Sequence, residues 1–285
     1  MENPLFDYRP SVEHPKLELP NGARVAVYFA VNVEHYTFGQ PALSLAQFTA
    51  QLVPDPLNYG WRDYGARVGV FRLMEILEKH GVPGTGVLNS EVCELYPQII
   101  EEGKKRGWSW VAHGRNNSTW QAGFEPDDER AYIEEVASTI EQSTGQRPRG
   151  WIGPALTATM NTNDVLAELG FTYSLDWAND DLPYDFNVKS GRLVSVPYSG
   201  EVNDIPAFVI HNLTAREFRE MLIGQFEQLY EEGGRVMGVG IHPFLVGQPF
   251  RAREFSAALE EMAGRDGVWL TTADEIADWY RDATS

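Results

Sequence analysis

The sequence has 285 residues, and its 43% of hydrophobic residues can bury the core of one α/β barrel domain, which excludes a disordered chain. Its 41 acidic and 23 basic residues give a net charge of −18, and so acidic a surface repels nucleic-acid backbones and anionic lipid. The single cysteine, Cys93, excludes an internal disulfide.

The first 22 residues are polar and rich in proline, so we expect an N-terminal arm that lies over a single domain of residues 23–285. The arm has neither the basic stretch nor the apolar run of a signal peptide. No apolar run approaches the ~20 residues that span a bilayer. These features predict a cytoplasmic protein with no nucleic-acid or membrane partner.

The domain opens on residues 23–34, a nearly continuous apolar run that predicts a strand covered on both faces. Residues 37–60 show no periodicity and form a long insertion, a feature that is usually a lid or a partner contact. Residues 67–80 repeat apolar side chains at a spacing of three, which predicts a helix that ends at Gly81.

Short strands and helices then alternate along the chain. The predicted strands are residues 84–89, 108–113, 149–152, 172–176, 193–198, 207–212, 235–242 and 269–271. The predicted helices are residues 91–106, 126–143, 163–170, 214–232 and 251–263. Repeated strand–helix units imply a parallel sheet, and this many in one domain indicate that the sheet closes into a barrel.

Polar side chains stand at the carboxyl ends of five predicted strands. The side chains are Glu34 and His35 after the first strand, and then His113, Trp151, Asp176 and His242. The carboxyl ends of parallel barrel strands share one rim, and active sites form at that rim. The sequence therefore predicts a functional site built from these strand ends.

Seven segments along the domain carry a family resemblance. They are residues 31–35 (VNVEH), 62–69 (RDYGARVG), 112–118 (AHGRNNS), 150–154 (GWIGP), 175–181 (LDWANDD), 203–206 (NDIP) and 242–251 (HPFLVGQPFR). In this order they resemble the polysaccharide deacetylase superfamily, in the branch with metal-independent, allantoinase-like and cyclic-imide-hydrolase-like proteins. The resemblance implies a distorted (β/α) barrel with about seven parallel strands and hydrolysis of a non-peptide C–N bond.

The chain departs from the metal-dependent members of this superfamily at the metal site. Those members place an Asp base, an Asp ligand and a His-x-x-x-His pair where this chain has Asn32, Glu34, His113 and Asn117. Asn117 is a weak neutral donor that cannot replace an imidazole on zinc, and Asn32 cannot accept a proton. We therefore predict no catalytic metal; a bound zinc or other divalent ion would use Glu34, His113 and one further histidine.

Without a metal, side chains must activate water and polarise the carbonyl. We predict that Glu34 is the general base, because burial at an apolar strand end would raise its pKa toward neutrality. His113 and His242 are predicted to exchange protons with the leaving nitrogen. The predicted substrate contacts, which include amide and indole donors suited to a ureide edge, are Asn32, His35, Asn116, Asn117, Trp151 and Asp176.

Other polar groups near the rim are given structural roles. Arg62, Asp63 and Arg67 are predicted to form an ion-pair cluster where a helix begins. Residues 203–206 are predicted to form a turn on the rim, and Asp176 has the alternative role of anchoring the loop that follows it.

Three functions fit these observations. The first is metal-independent hydrolysis of a cyclic amide, imide or ureide. The second restores the metal and makes the chain a carbohydrate N-deacetylase. The third is a catalytically silent barrel that binds a small amide ligand or scaffolds an oligomer, an alternative raised by the missing Asp and His.

The insertion at residues 37–60 is unusually apolar for a loop. Its large hydrophobic side chains are Phe38, Leu43, Leu45, Phe48, Leu52 and Leu57. We expect this surface to be buried over the active site or against a neighbouring subunit, and we predict a homo-oligomer.

Overall fold

A computed structural model describes residues 3–15, 17–40 and 42–285. These residues contain one curled sheet with nine strands. The strands are β1 (Val25–Val33), β2 (Thr85–Leu88), β3 (Ser109–Ala112), β4 (Gly150–Trp151), β5 (Tyr173–Ser174), β6 (Tyr184–Asp185), β7 (Val194–Ser195), β8 (Arg235–Ile241) and β9 (Val268–Leu270). Their order is β6-β7-β5-β4-β3-β2-β1-β8, with β9 beside β1. Only β6 runs antiparallel to its neighbour, so the predicted distorted barrel of mostly parallel strands is confirmed.

Helices follow most of the strands and cover the outside of the sheet. They are α1 (Pro56–Tyr64), α2 (Val70–Lys79), α3 (Ser90–Leu95), α4 (Pro97–Lys105), α5 (Pro126–Thr144), α6 (Thr162–Glu168), α7 (Ala215–Glu232), α8 (Pro249–Ala263) and α9 (Ala273–Ala283). None of the helices in the described ranges combines the length and apolar character that crossing a membrane requires.

The two faces of β1 pack into different cores. Val27, Phe29 and Val31 belong to the core between the sheet and the helices. Tyr28 and Ala30 belong to a second core with interior residues of the other strands. Because side chains alternate along a strand, Asn32 and then Glu34 continue the interior face of Tyr28 to the rim.

Tertiary contacts decide several elements differently from the sequence pattern. The predicted helix at residues 91–106 is divided into α3 and α4, because Pro97 disfavours helical backbone at Tyr96, whose ψ is 56°. The strand predicted at residues 207–212 is wrong, since Pro206–Ile210 forms a π-helical turn. Helices α1 and α9 and the short strand β6 were not predicted, and α1 lies partly inside the insertion.

The arm and the insertion meet the domain in different ways. In the arm, the Phe6 ring packs on Trp177 at a centroid distance of 5.1 Å, and Leu19 is buried in the interior core. In the insertion, Phe48 is 87% exposed and Phe38 is 60% exposed, so much of its apolar surface is uncovered in the single chain. The expectation that this surface is buried within the chain over the active site is therefore wrong for these two side chains.

Candidate active site

Glu34 lies at the centre of a buried group of side chains on the barrel rim. Its Oε1 atom is 3.4 Å from Nε2 of His113 and 3.4 Å from Nε2 of His242. Its Oε2 atom accepts a 2.6 Å hydrogen bond from the Tyr36 hydroxyl. The structure thus brings together the three side chains that the sequence proposes as catalytic.

Backbone contacts fix the orientation of His113. The residue directly follows β3, and its amide donates to the Leu88 carbonyl. Nδ1 lies 2.8 Å from the Ile152 carbonyl oxygen, which can only accept, so Nδ1 carries a proton. Nε2 therefore points into the site toward Glu34.

A buried carboxylate fixes the orientation of His242. Asp204 Oδ1 lies 2.6 Å from Nδ1 of His242, and Oδ2 accepts from the backbone amide of the same residue at 2.7 Å. Asp204 is fully buried. The sequence suggested only a rim turn at residues 203–206. The polar pair Asn203-Asp204 directly before the apolar residues 205–210 was the signal that could have identified this partner.

The charged side chains of this group strongly shift the pKa values of Glu34 and His242. Burial alone would raise the pKa of Glu34, but His242 and His113 outweigh burial and hold it well below its usual value. Burial alone would lower the pKa of His242, but Glu34 and Asp204 raise it to about 10. The prediction that burial brings the pKa of Glu34 toward neutrality is therefore wrong: Glu34 is a carboxylate and His242 an imidazolium at neutral pH.

Tyr36 is a functional candidate that the sequence did not identify. Burial and the neighbouring Glu34 raise its pKa well above the usual value, so the phenol stays protonated and donates to Glu34. The Arg62 guanidinium lies 5.1 Å from the centre of its ring. Its position two residues after Glu34, directly at the rim, was the available signal.

The two asparagines at the altered family positions form hydrogen bonds with the protein. Asn32 Nδ2 lies 3.2–3.3 Å from the Ala30 and Ile241 carbonyls and the Tyr198 hydroxyl. Asn117 Oδ1 accepts from Asn89 at 3.2 Å, and its Nδ2 lies 3.5 Å from the Tyr36 hydroxyl. Asn117 therefore borders the Glu34 group, while Asn32 holds the strands beneath it.

Asn116 and His35 form a separate cluster around Glu91. Asn116 Nδ2 donates to Glu91 Oε1 at 2.9 Å, and His35 Nε2 lies 3.6 Å from Glu91 Oε2. Burial lowers the pKa of His35, although Glu91 opposes this. Their contact with substrate stays a prediction, since this cluster is distinct from the Glu34 group.

The side chains of Trp151 and Asp176 contact other parts of the protein rather than the Glu34 group. Trp151 is fully buried in the core that faces the helices, with its ring edge-on to Phe171. Asp176 accepts from the Gly153 amide at 2.7 Å and from the Ser174 hydroxyl at 3.0 Å, and burial raises its pKa to about 6. The predicted Trp151 contact with substrate is thereby corrected, and Asp176 matches its alternative role as a loop anchor.

The donors at the rim do not fit a zinc site of the kind found in metal-dependent members. The side-chain amide atoms of Asn117 are engaged by Asn89 and Tyr36. Across residues 3–15, 17–40 and 42–285, no group of three or more His, Cys, Asp and Glu side chains is arranged to hold a metal ion. The one Glu34 oxygen that meets both imidazoles is instead in a hydrogen-bonding arrangement.

Comparison with known proteins finds similarity to polysaccharide deacetylases. The polysaccharide deacetylase family model matches residues 61–174, which contain His113 and Asn117. A Schizosaccharomyces pombe protein described as a polysaccharide deacetylase is 28% identical, over 90% of each chain. The chain is thus similar to polysaccharide deacetylases, through the family model over residues 61–174 and through this relative over most of its length. It is accordingly a hydrolase of non-peptide carbon–nitrogen bonds.

A solved structure and a second relative are also similar to this chain. The crystal structure of PuuE allantoinase aligns with a TM-score of 0.84 at 24% identity, over 97% of this chain and 98% of that one. Helicobacter pylori peptidoglycan deacetylase is 23% identical over 82% of this chain and 90% of its own length. The proteins similar to this chain thus include one named for a ureide and one named for a polysaccharide.

Proposed function

We propose that this hydrolase acts on a cyclic amide, imide or ureide and activates water without a metal ion. The supporting observation is that one oxygen of Glu34 meets two imidazoles, each anchored through Nδ1 by a separate acceptor. This arrangement supplies a proton acceptor and a proton donor on the same small group, which is what hydrolysis of an amide requires.

The opposite titration shifts suggest the division of roles. Glu34 and the Nε2 atom of His113 share the proton removed from water as the water oxygen attacks the carbonyl carbon. His242, an imidazolium, stabilises the developing oxyanion and gives its Nε2 proton to the leaving nitrogen as the C–N bond breaks. Because Glu34 Oε1 lies 3.4 Å from both imidazoles, it can return the proton from His113 to His242.

The experiment that tests this proposal is a turnover screen with and without a chelator. We expect hydrolysis among allantoin, hydantoin and succinimide, at a rate that EDTA does not change, and no stoichiometric zinc by elemental analysis. Activity on N-acetylglucosamine oligomers that depends on stoichiometric zinc would instead establish a carbohydrate N-deacetylase. Thermal stabilisation by these ureides without turnover would indicate a silent binding barrel.

We also propose that the chain forms a homo-oligomer through the insertion. Phe48 and Val53, which are 87% and 70% exposed, form a surface that a second copy would cover. In light scattering, the wild-type chain should have a multiple of the monomer mass, and Phe48→Glu should reduce it. Leu95→Glu, a matched change at a side chain 48% exposed outside the insertion, should not. A monomeric wild-type chain would refute the proposal.

A further inference from the structure

Arg62 is a buried cation without a carboxylate partner among the described residues. It is 7% exposed, and its Nη1 donates to the backbone carbonyl of Leu43. The central carbon of its guanidinium lies over the Tyr36 ring, 5.1 Å from the ring centre. The Nε atom is buried and finds no hydrogen-bond partner within those residues. The predicted ion-pair cluster is therefore correct only for Asp63 and Arg67, which pair with each other.

The carboxylates around Arg62 are already engaged by other donors. Asp55 accepts from the amide and the side chain of Asn58. Asp63 is paired with Arg67. Glu34 is held by Tyr36 and the two imidazoles. The chain has 41 acidic residues for 23 basic ones, so the missing partner does not reflect a shortage of anions.

Arg62 also lines two small cavities together with Glu34. One cavity is lined by Arg62 together with Glu34, Asn32 and Phe244, and a second by Arg62 together with Glu34 and Tyr36. A molecule whose carbonyl meets Glu34 would therefore bring a neighbouring substituent to Arg62. A buried guanidinium is costly unless an anion accepts its hydrogen bonds, and a planar carboxylate is the group that its edge fits best.

We propose that Arg62 binds a carboxylate of the substrate, so that the substrate is an amide or ureide carrying an acid group close to the bond that is cut. This inference rests on the proposed function, since it places the cut bond at Glu34. The contact with the Tyr36 ring holds the guanidinium in place, and its Nε atom is left without a partner for the ligand to meet.

A matched pair of cyclic ureides tests the inference. Dihydroorotate and dihydrouracil differ by one carboxylate, so the ratio of their kcat/KM values reports its recognition. The wild-type enzyme should prefer dihydroorotate. Arg62→Gln should lower that ratio by about 100-fold, because a hydrogen bond between two charged groups is lost. Arg62→Lys, which keeps the charge but not the planar edge, should lower it by about tenfold.

Arg67→Gln is the charge-matched control. It removes a positive charge five residues away, at a side chain that pairs with Asp63 and lines neither cavity. The ratio should stay within about twofold of wild type, since exposed charges are screened. A wild-type preference for dihydrouracil, or an unchanged ratio in Arg62→Gln with normal thermal unfolding, would overturn the inference.

Failure of the proposed function is recognised separately. If the wild-type enzyme hydrolyses neither ureide, the function fails, and binding is measured by thermal shift with the same two compounds. Stabilisation by dihydroorotate alone, lost in Arg62→Gln and kept in Arg67→Gln, would still support carboxylate recognition. Equal effects of both compounds, or no effect of either, would exclude it.

Discussion

Glu34→Gln should lower kcat by about three orders of magnitude and leave the chain folded. The amide cannot accept the proton of the attacking water, and it cannot return a proton from His113 to His242. The change also removes one of the two carboxylates that hold the pKa of His242 at about 10, so that pKa should fall. Steady-state kinetics and an NMR titration of the His242 ring measure the two effects independently.

Glu129→Gln is the matched control for this variant. Glu129 is fully buried, and its carboxylate accepts hydrogen bonds from Gln121, Thr159 and Thr162 rather than from the two imidazoles. It should unfold at a lower temperature and retain a kcat within a few-fold of wild type. A Glu34→Gln enzyme with full activity would show that Glu34 is not the proton acceptor.

Asp204→Asn should move the alkaline limb of the pH–rate profile to lower pH and reduce kcat by about 100-fold. The active form needs protonated His242, so activity is lost as pH rises through the pKa of that residue. Asp204 is one of the groups that raise this pKa to about 10, and removing its charge lowers the pKa. An asparagine would also place its NH2 group, a donor, against one of the two N–H donors of His242 that Asp204 accepts from. Two donors cannot form a hydrogen bond with each other, so the ring loses its fixed orientation.

The control for this effect is Asp164→Asn. Asp164 likewise accepts from a backbone amide, at 2.8 Å from Lys189, and pairs with the Lys189 ammonium. It lies in α6 and has no contact with His242, so the pH–rate profile should keep its alkaline limb. An unchanged limb in Asp204→Asn would mean that His242 is not the titrating acid.

The pattern of apolar and polar residues in the strands was enough to predict the three central residues of the site. Glu34, His113 and His242 each interrupt an apolar strand at its carboxyl end, and parallel strands bring such ends to one rim. Their convergence could therefore be predicted. Trp151 also ends a strand, but its side chain faces the helices. Strand β4 has only two residues, so its sequence does not show which of the two faces the last side chain takes.

The sequence by itself determined the alternating strand–helix order, the parallel sheet and the residues at its rim. A strand of a parallel sheet is buried on both faces, and its continuous run of apolar residues can therefore be recognised within a short stretch of sequence. Only the tertiary structure decided the charges at the rim. Asp204 lies 38 residues from His242, and His113 lies 79 residues from Glu34. The shifts of pKa arise from these distant partners, and so the pKa of Glu34, which burial alone would raise, is instead lowered.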